Sequence, residues 1–287
     1  MSISNLSEGE RAAAKASFRT LLAASVETLR DYVCDPDGQW AIKGFIDTKR
    51  NVYSISSDTK ITSKILEIHI FPRVLEFARE IGFELKLCEH QNHYPDMSFV
   101  SLADPRIRFA VDLKTTYRSP KNQSRCNGFT LGSHGGYFRN RGLTKNILFP
   151  YETYAAHFCL GAIYDRAPAS SIDDTMIVNL EDLTSITSVM SNMQFFVAEK
   201  WQLASDRSGS GNTANIGSID LIPDILSGQG MFALLGEGWF DDYWMNYGLI
   251  QAPDGHGGFS KIKKLRDFVT YRGGDLALLN PRRSKLP

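Results

Sequence analysis

The sequence predicts an α/β protein, and three stretches carry that prediction. Ile107 to Lys114 alternates strictly, putting Ile107, Phe109, Val111 and Leu113 on one face of a strand and Asp112 with Lys114 on the other. Ser7-Glu8-Gly9-Glu10 has the form of a capping box at the head of an alanine-rich amphipathic helix running to about Tyr32. Lys60 to Ile81 carries a second helical pattern, expected to break near Pro72. With 287 residues, 43% apolar and 22% charged, the chain can bury a full core as one domain with elaborations.

Taken in order, the N-terminal helix reads as scaffold or as a dimer contact. Gln39 to Ser56 reads as a short hairpin around Asp47-Thr48-Lys49-Arg50. Phe83 to Leu87 is a strand, and the polar loop from Cys88 to Tyr94 leads into Asp96. Ala103-Asp104-Pro105-Arg106 reads as a turn, so Met97 to Leu102 folds back antiparallel to the 107–114 strand with Asp96 at its start. Pro150 suits the first turn of a helix through Ala162, with Ala155, Phe158, Cys159 and Ala162 as a core stripe and His157 as a structural histidine. Phe195 to Leu203 gives a further strand. The stretch Ser208 to Ser218 is a loop of glycine, asparagine and threonine without the lysine of a P-loop or the order of a dinucleotide fingerprint. It is either a linker or a base-reading loop, since asparagine, threonine and bare backbone can pair with base edges.

Chemistry concentrates at Asp96, Asp112 and Lys114. Pro95-Asp96 is followed, after fifteen intervening residues, by Asp112-Leu113-Lys114, which brings two carboxylates and an ammonium to one sheet. Hard carboxylate oxygens from separate segments suit a divalent cation, and the lysine supplies charge or a donor for an attacking water. The same triplet also decorates solvated strand faces, so the surroundings decide. From Leu113 to Tyr151 there is no Asp or Glu, while Lys114, Arg118, Lys121, Arg125, Arg139, Arg141 and Lys145 are all basic. Whole-chain charge hides this, because 32 basic and 32 acidic residues cancel. Such a band suits a polyanion, or else is a solvated basic loop. The tail from Phe259 is basic as well, with Lys261, Lys263, Lys264, Arg266, Arg272, Arg282, Arg283 and Lys285. Cys34, Cys88, Cys126 and Cys159 lack C-x-x-C spacing, which predicts reduced thiols rather than a zinc site or a disulfide framework. No signal pattern or bilayer-length apolar run is present, so the expected compartment is the cytosol.

Four stretches, in order, resemble the EcoRV-type family of type II restriction endonucleases: Gln91-Asn92-His93-Tyr94-Pro95-Asp96, Asp112-Leu113-Lys114-Thr115-Thr116-Tyr117, the run from Phe129 to Pro150, and Gly209 to Ser218. The likeness extends from about Gly44 to Gly273. It implies a PD-(D/E)xK restriction-endonuclease-like fold with a central mixed sheet flanked by helices, in a single nuclease domain. That domain divides into an N-terminal helical extension (1–35), the core (36–273) and a tail (274–287).

The resemblance also implies a homodimer embracing double-stranded DNA, Mg²⁺-dependent cleavage within a short palindrome, a cognate DNA methyltransferase and a prokaryotic cytoplasm. By position, Asp96 and Asp112 would be metal ligands, Lys114 would assist the attacking water, and Glu67 would be the auxiliary acid and metal ligand. On residue pattern alone Glu67 reads as a surface position. Gly209, Gly211, Asn212, Thr213 and Asn215 would form a major-groove reading loop, Asn92 a minor-groove contact, and Thr115, Thr116 and Lys145 backbone contacts. The chain departs from the family at Gly135-Gly136, where a Thr-Ser pair stands, at Ala214 (threonine), at Met245 (arginine), and at Arg141-Gly142-Leu143, which lengthens a loop. A repair or structure-selective nuclease of the same fold would lack the reading loop. A catalytically silent DNA-binding protein would lack a carboxylate or the lysine.

Overall fold

A computed structural model describes residues 6–88, 90, 93–173, 175–209, 214–253 and 258–280. Helix α1 (Glu8–Val33) opens as the sequence predicts: the Ser7 N–H donates to Glu10 Oε2 at 2.8 Å and the Glu10 N–H to Ser7 Oγ at 3.3 Å. Strands β1 (Gly44–Ile46) and β2 (Asn51–Ser54) form the expected hairpin, its turn tied by the Asp47 carboxylate, which accepts the Lys49 and Asn51 N–H groups. Helix α2 (Thr59–Glu80) runs through Pro72 without interruption, contrary to the expected break. Pro72 lies on the exposed side, and Ile68, whose carbonyl loses its helical partner, is 62% exposed, so water can serve that carbonyl.

The central sheet is built from β3 (Phe83–Leu87), β4 (Met97–Ser101), β5 (Arg108–Ser119), β8 (Ala156–Arg166) and β10 (Met190–Glu199) in the order β10-β8-β5-β4-β3. Strand β6 (Asn122–Cys126) pairs with the far end of β5. The β5–β8 pair is parallel and the others antiparallel, which makes the sheet mixed. The turn at 103–106 returns the chain as predicted, with Met97 opposite Val111.

Two sequence expectations fail here. Ala156 to Arg166 is a strand, not a continuation of a helix from Pro150; only Tyr151–Thr153 makes a short helical turn. Strand β8 lies between β10 and β5 and is buried on both faces from Ala156 to Tyr164, so its residues read as one apolar run with no period of 2 to betray it. A Cβ at Gly161 would meet the Phe196 ring on β10 at about 2.0 Å, so this strand needs glycine there. Strand β10 in turn starts at Met190 and ends at Glu199, and Lys200–Leu203 is the short helix α4 rather than strand.

Helices α1 and α2 cover one face of the sheet. Phe18 stacks on Phe109 with ring centroids 4.1 Å apart and meets Phe99 edge-on at 5.1 Å, while Leu66, Ile70 and Val74 of α2 join the same core. The opposite face is covered by β7 (Thr130–Ser133), α3 (Gly136–Arg139), α4, α5 (Ile222–Ser227), α6 (Glu237–Asn246) and α7 (Leu265–Tyr271) around Leu131, Phe138, Phe232, Tyr243 and Trp244. Beside it, β11 (Ala204–Ser208) and β12 (Asn215–Ser218) form a small sheet with β7 in the order β11-β12-β7. The N-terminal helix is thus core scaffold. It is also pinned to the second layer, since Lys15 Nζ lies 2.8 Å from the buried Glu199 and 3.2 Å from Glu237.

Phe18→Ala should cost about 3–5 kcal/mol of unfolding free energy, because it removes a fully buried ring and leaves a cavity among four others. Chemical denaturation measures this, and a loss below about 1 kcal/mol would show that α1 is only an appendage.

Candidate active site

Asp96 sits immediately before β4, and Asp112 and Lys114 lie on β5 facing away from the α1–α2 layer. Asp96 Oδ2 accepts the Leu113 N–H at 2.7 Å, and Asp112 Oδ1 accepts the Asp96 N–H at 3.3 Å. Lys114 Nζ reaches Asp112 Oδ2 at 2.8 Å. The expected solvated strand face is instead covered: Asp112 is 6% exposed and Ala110 beside it fully buried. Burial first, then the charge of Asp112, pushes the Asp96 carboxyl up to about 6, although Lys114 and the Leu113 N–H oppose it. Burial alone would lower the Lys114 ammonium, but the Asp112 and Asp96 carboxylates outweigh it and hold the group above its ordinary value.

Two cavities open on this trio. One, of about 660 Å³, is lined by Asp96, Lys114 and Thr115 together with Ser63 and Glu67 of α2. The other, of about 540 Å³, is lined by Asp96, Asp112 and Lys114 with Gly136, Lys145 and Asn215. The predicted residues therefore meet, though not all in the expected way. Glu67 shares the first cavity, but its carboxylate is held by Lys64 at 2.6 Å and is about one-third exposed. Among the described residues no three His, Cys, Asp or Glu side chains converge to hold a metal. The hard-oxygen donors in place are the Asp96–Asp112 pair. Thr115 is bonded to Ser63 through their hydroxyls. Thr116 is 4% exposed and donates its hydroxyl to the Asn127 carbonyl, so it braces the wall and offers no free surface hydroxyl to a phosphate.

The stretch expected to read bases is flanked by β11 and β12. The Gly209 N–H donates to the Asn215 carbonyl at 2.8 Å, and Asn215 pairs with Ser133 of β7. A Cβ at Gly209 would meet the Thr130 side chain at about 2.6 Å. Gly211, Asn212 and Thr213 lie outside the described residues, as do Asn92, Arg282, Arg283 and Lys285. A third cavity, of about 890 Å³, lies against the base of this loop, lined by Gly209 with Arg125, Arg207, Lys263, Lys264 and Arg266.

The acid-free band is less positive in space than in sequence. Arg118 lies 3.4 Å from Asp165, Arg125 2.6 Å from Asp220 and Arg141 2.6 Å from Asp241, all acids supplied from outside the band. Lys121 and Lys145 remain exposed. Arg141, in the lengthened loop, also lies over the Phe138 and Tyr151 rings. Residue pattern alone missed Lys200, which is 2% exposed behind the second cavity. The only signal was the Glu199-Lys200 pair set in an otherwise apolar run. All four cysteines are unpaired thiols, as predicted, and no described helix is long and apolar enough to cross a membrane.

Comparison with known proteins yields two findings. The family model "Restriction endonuclease EcoRV" matches residues 36–273. The type II restriction enzyme EcoRV of Escherichia coli is 35% identical over 240 residues, covering 83% of this chain and 94% of the relative.

The crowded carboxylates generate a stability prediction. Asp96 has a folded value of about 6 against an ordinary 3.8, so its charge costs stability fully above the upper value, and the cost fades as pH falls toward the lower. In chelator, Asp96→Asn should therefore melt several degrees higher than the unaltered protein at pH 8, with the difference shrinking by pH 4.5. A difference that does not change with pH would refute the electrostatic account.

Proposed function

Since the chain belongs to the EcoRV restriction endonuclease family, we propose that it cuts both strands of duplex DNA within GATATC, or a site sharing its outer base pairs. The ends are blunt and the cofactor is Mg²⁺. The coarser activity follows from the family: the protein is a sequence-specific DNA endonuclease, a type II site-specific deoxyribonuclease. The observation that supports metal-dependent hydrolysis is the pairing of the half-buried Asp96 with the buried Asp112, with Lys114 2.8 Å from Asp112, beside cavities that also reach Glu67 and Asn215. The choice of GATATC rests on the match of Gly209, Gly211, Asn212, Thr213 and Asn215 to the family's loop.

The donor set fits a small hard cation. Two carboxylates and one lysine leave net negative charge in a partly enclosed site, and Mg²⁺ commonly takes one or two carboxylates and keeps waters for its other positions. Asp96 and Asp112 would hold it, with Glu67 as an auxiliary carboxylate once its bond to Lys64 opens. Bound there, the ion supplies Lewis acidity and a more acidic water. Lys114 keeps its proton between the two carboxylates, so its role is to donate to the attacking water and to stabilise the extra negative charge of the transition state, not to act as a base.

Specificity is assigned to Gly209, Gly211, Asn212, Thr213 and Asn215 in the major groove and Asn92 in the minor groove, with Thr115 and Lys145 toward the backbone. Thr116 supports the wall behind Thr115. Gly135 and Gly136 stand where the family has a Thr-Ser pair that touches phosphate, and Ala214 replaces a threonine of the loop, so selection of the central step by DNA deformation is where their effect falls. A palindromic target matches a two-fold protein, so the acting species is a homodimer. A DNA methyltransferase of the same specificity completes the system.

A digest of a genome of known sequence with Mg²⁺, followed by end sequencing, tests the reading. Blunt ends at the centre of GATATC are expected, and ends without common outer pairs would overturn the loop assignment. Asp112→Ala should lose cutting at least a thousandfold, roughly the scale of a lost electrostatic group, while binding to the site in Ca²⁺ falls far less. Full cleavage by that variant would sink the site assignment. Light scattering at micromolar concentration should report about twice the chain mass of 32.1 kDa. A persistent monomer with and without DNA counts against the two-fold arrangement.

A further inference from the structure

Lys200 is the first residue of α4, directly after β10, and is 2% exposed. Its ammonium has no hydrogen-bond partner among the described residues. It lies over the faces of Tyr94, Phe138 and Tyr151 at 5.0, 5.2 and 5.4 Å from their centroids. Those rings are themselves fixed: Tyr94 stacks on Tyr137 at 5.3 Å and its hydroxyl meets His157 Nδ1 at 2.9 Å. On the remaining side is Gly132, where a Cβ would stand 3.7 Å from the ammonium. Gly132, Tyr94 and Tyr137 also line the 540 Å³ cavity that holds Asp96, Asp112 and Lys114.

A buried, unpaired ammonium is costly, and burial lowers this one to about 8, with Asp112 the strongest charge supporting it. Aromatic faces return part of that cost by cation–π attraction and keep the charge in one place. A methionine would fill the same space without the penalty. The placement makes sense as electrostatics directed at the cavity, because a fixed charge in a dry region acts over several ångströms.

We propose that Lys200 is a positioning residue of the phosphate site, a fixed cation behind the Gly132 wall that favours entry of the substrate phosphodiester and weakens cation binding at the Asp96–Asp112 pair. Tyr94, which carries the ammonium, is two residues from Asp96, so the same contact holds the start of that carboxylate's segment. The proposal rests on the nuclease reading of the site. It adds a residue that touches neither metal nor DNA.

The test compares the full-length protein with Lys200→Met, or with Lys200→Gln if the first does not fold. Mn²⁺ binding without DNA, followed by electron paramagnetic resonance, should be about three- to tenfold tighter in the uncharged variant. Single-turnover cleavage at saturating metal should be about tenfold slower, and the melting temperature equal or higher. A merely structural role would weaken metal binding and lower the melting temperature together. Lys200→Arg, which keeps the charge, should bind Mn²⁺ within about twofold of the unaltered protein. Unchanged or weaker Mn²⁺ affinity in the uncharged variant, unaffected cleavage, or equal tightening by Lys200→Arg would each overturn the proposal. If the unaltered protein takes up no Mn²⁺, or takes it up equally with Asp112→Ala, the metal-site reading fails and this proposal with it.

Discussion

Asp96 accepts the Leu113 N–H while Asp112 accepts the Asp96 N–H, and this reciprocal pair of bonds fixes two like charges against each other, with Asp112 buried and Asp96 half-buried. Everything around the site answers that constraint. Strands β4 and β5 must keep their register, since a slip of one residue would send Asp112 and Lys114 into the α1–α2 core and bring Val111 and Leu113 to the cavity. Lys114 must stay charged, and it does so because the carboxylates outweigh its burial. One lysine at 2.8 Å from Asp112 does not balance the two carboxylates, so negative charge is left over on this pair.

The face of the sheet that carries the site is partly roofed by aromatic residues. Tyr94, Tyr137, Tyr151 and His157 stack in a layer, with Tyr151 and His157 only 3.8 Å apart. Such a layer keeps water from that side of the carboxylates, which strengthens charge interactions across it. It also explains why the ammonium of Lys200 can persist without a hydrogen bond. The β11–β12 pair joins the same layer through β7, which sets Asn215 on the support that also carries the carboxylates. Asn215 lines the same cavity as Asp112.

The N-terminal helix lies outside the residues matched by the family model, yet it is not peripheral. Phe18 fills the centre of the aromatic core, and Lys15 with Arg19 supplies the counter-charge for Glu199, which is 4% exposed. Glu199 also accepts the Trp201 indole N–H at 2.9 Å. An uncompensated carboxylate at that depth would cost several kcal/mol, so α1 steadies the very segment that presents Lys200.

How far the sequence alone reached follows from periodicity. Capping at Ser7, the fold-back of Met97 to Leu102, and the common face of Asp112 and Lys114 were all legible because each rests on interactions within a few residues. The same local logic failed at β8, where burial on both faces erased alternation, and at Pro72, whose effect depends on which side of α2 meets water. The motif stretches led to the family. They did not reveal that Thr116 is turned to the Asn127 carbonyl, or that Arg118, Arg125 and Arg141 of the basic band are paired with Asp165, Asp220 and Asp241. Those facts, and the aromatic cage around Lys200, were decided only by the tertiary structure, because burial, charge pairing and ring contacts are set by neighbours distant in the chain.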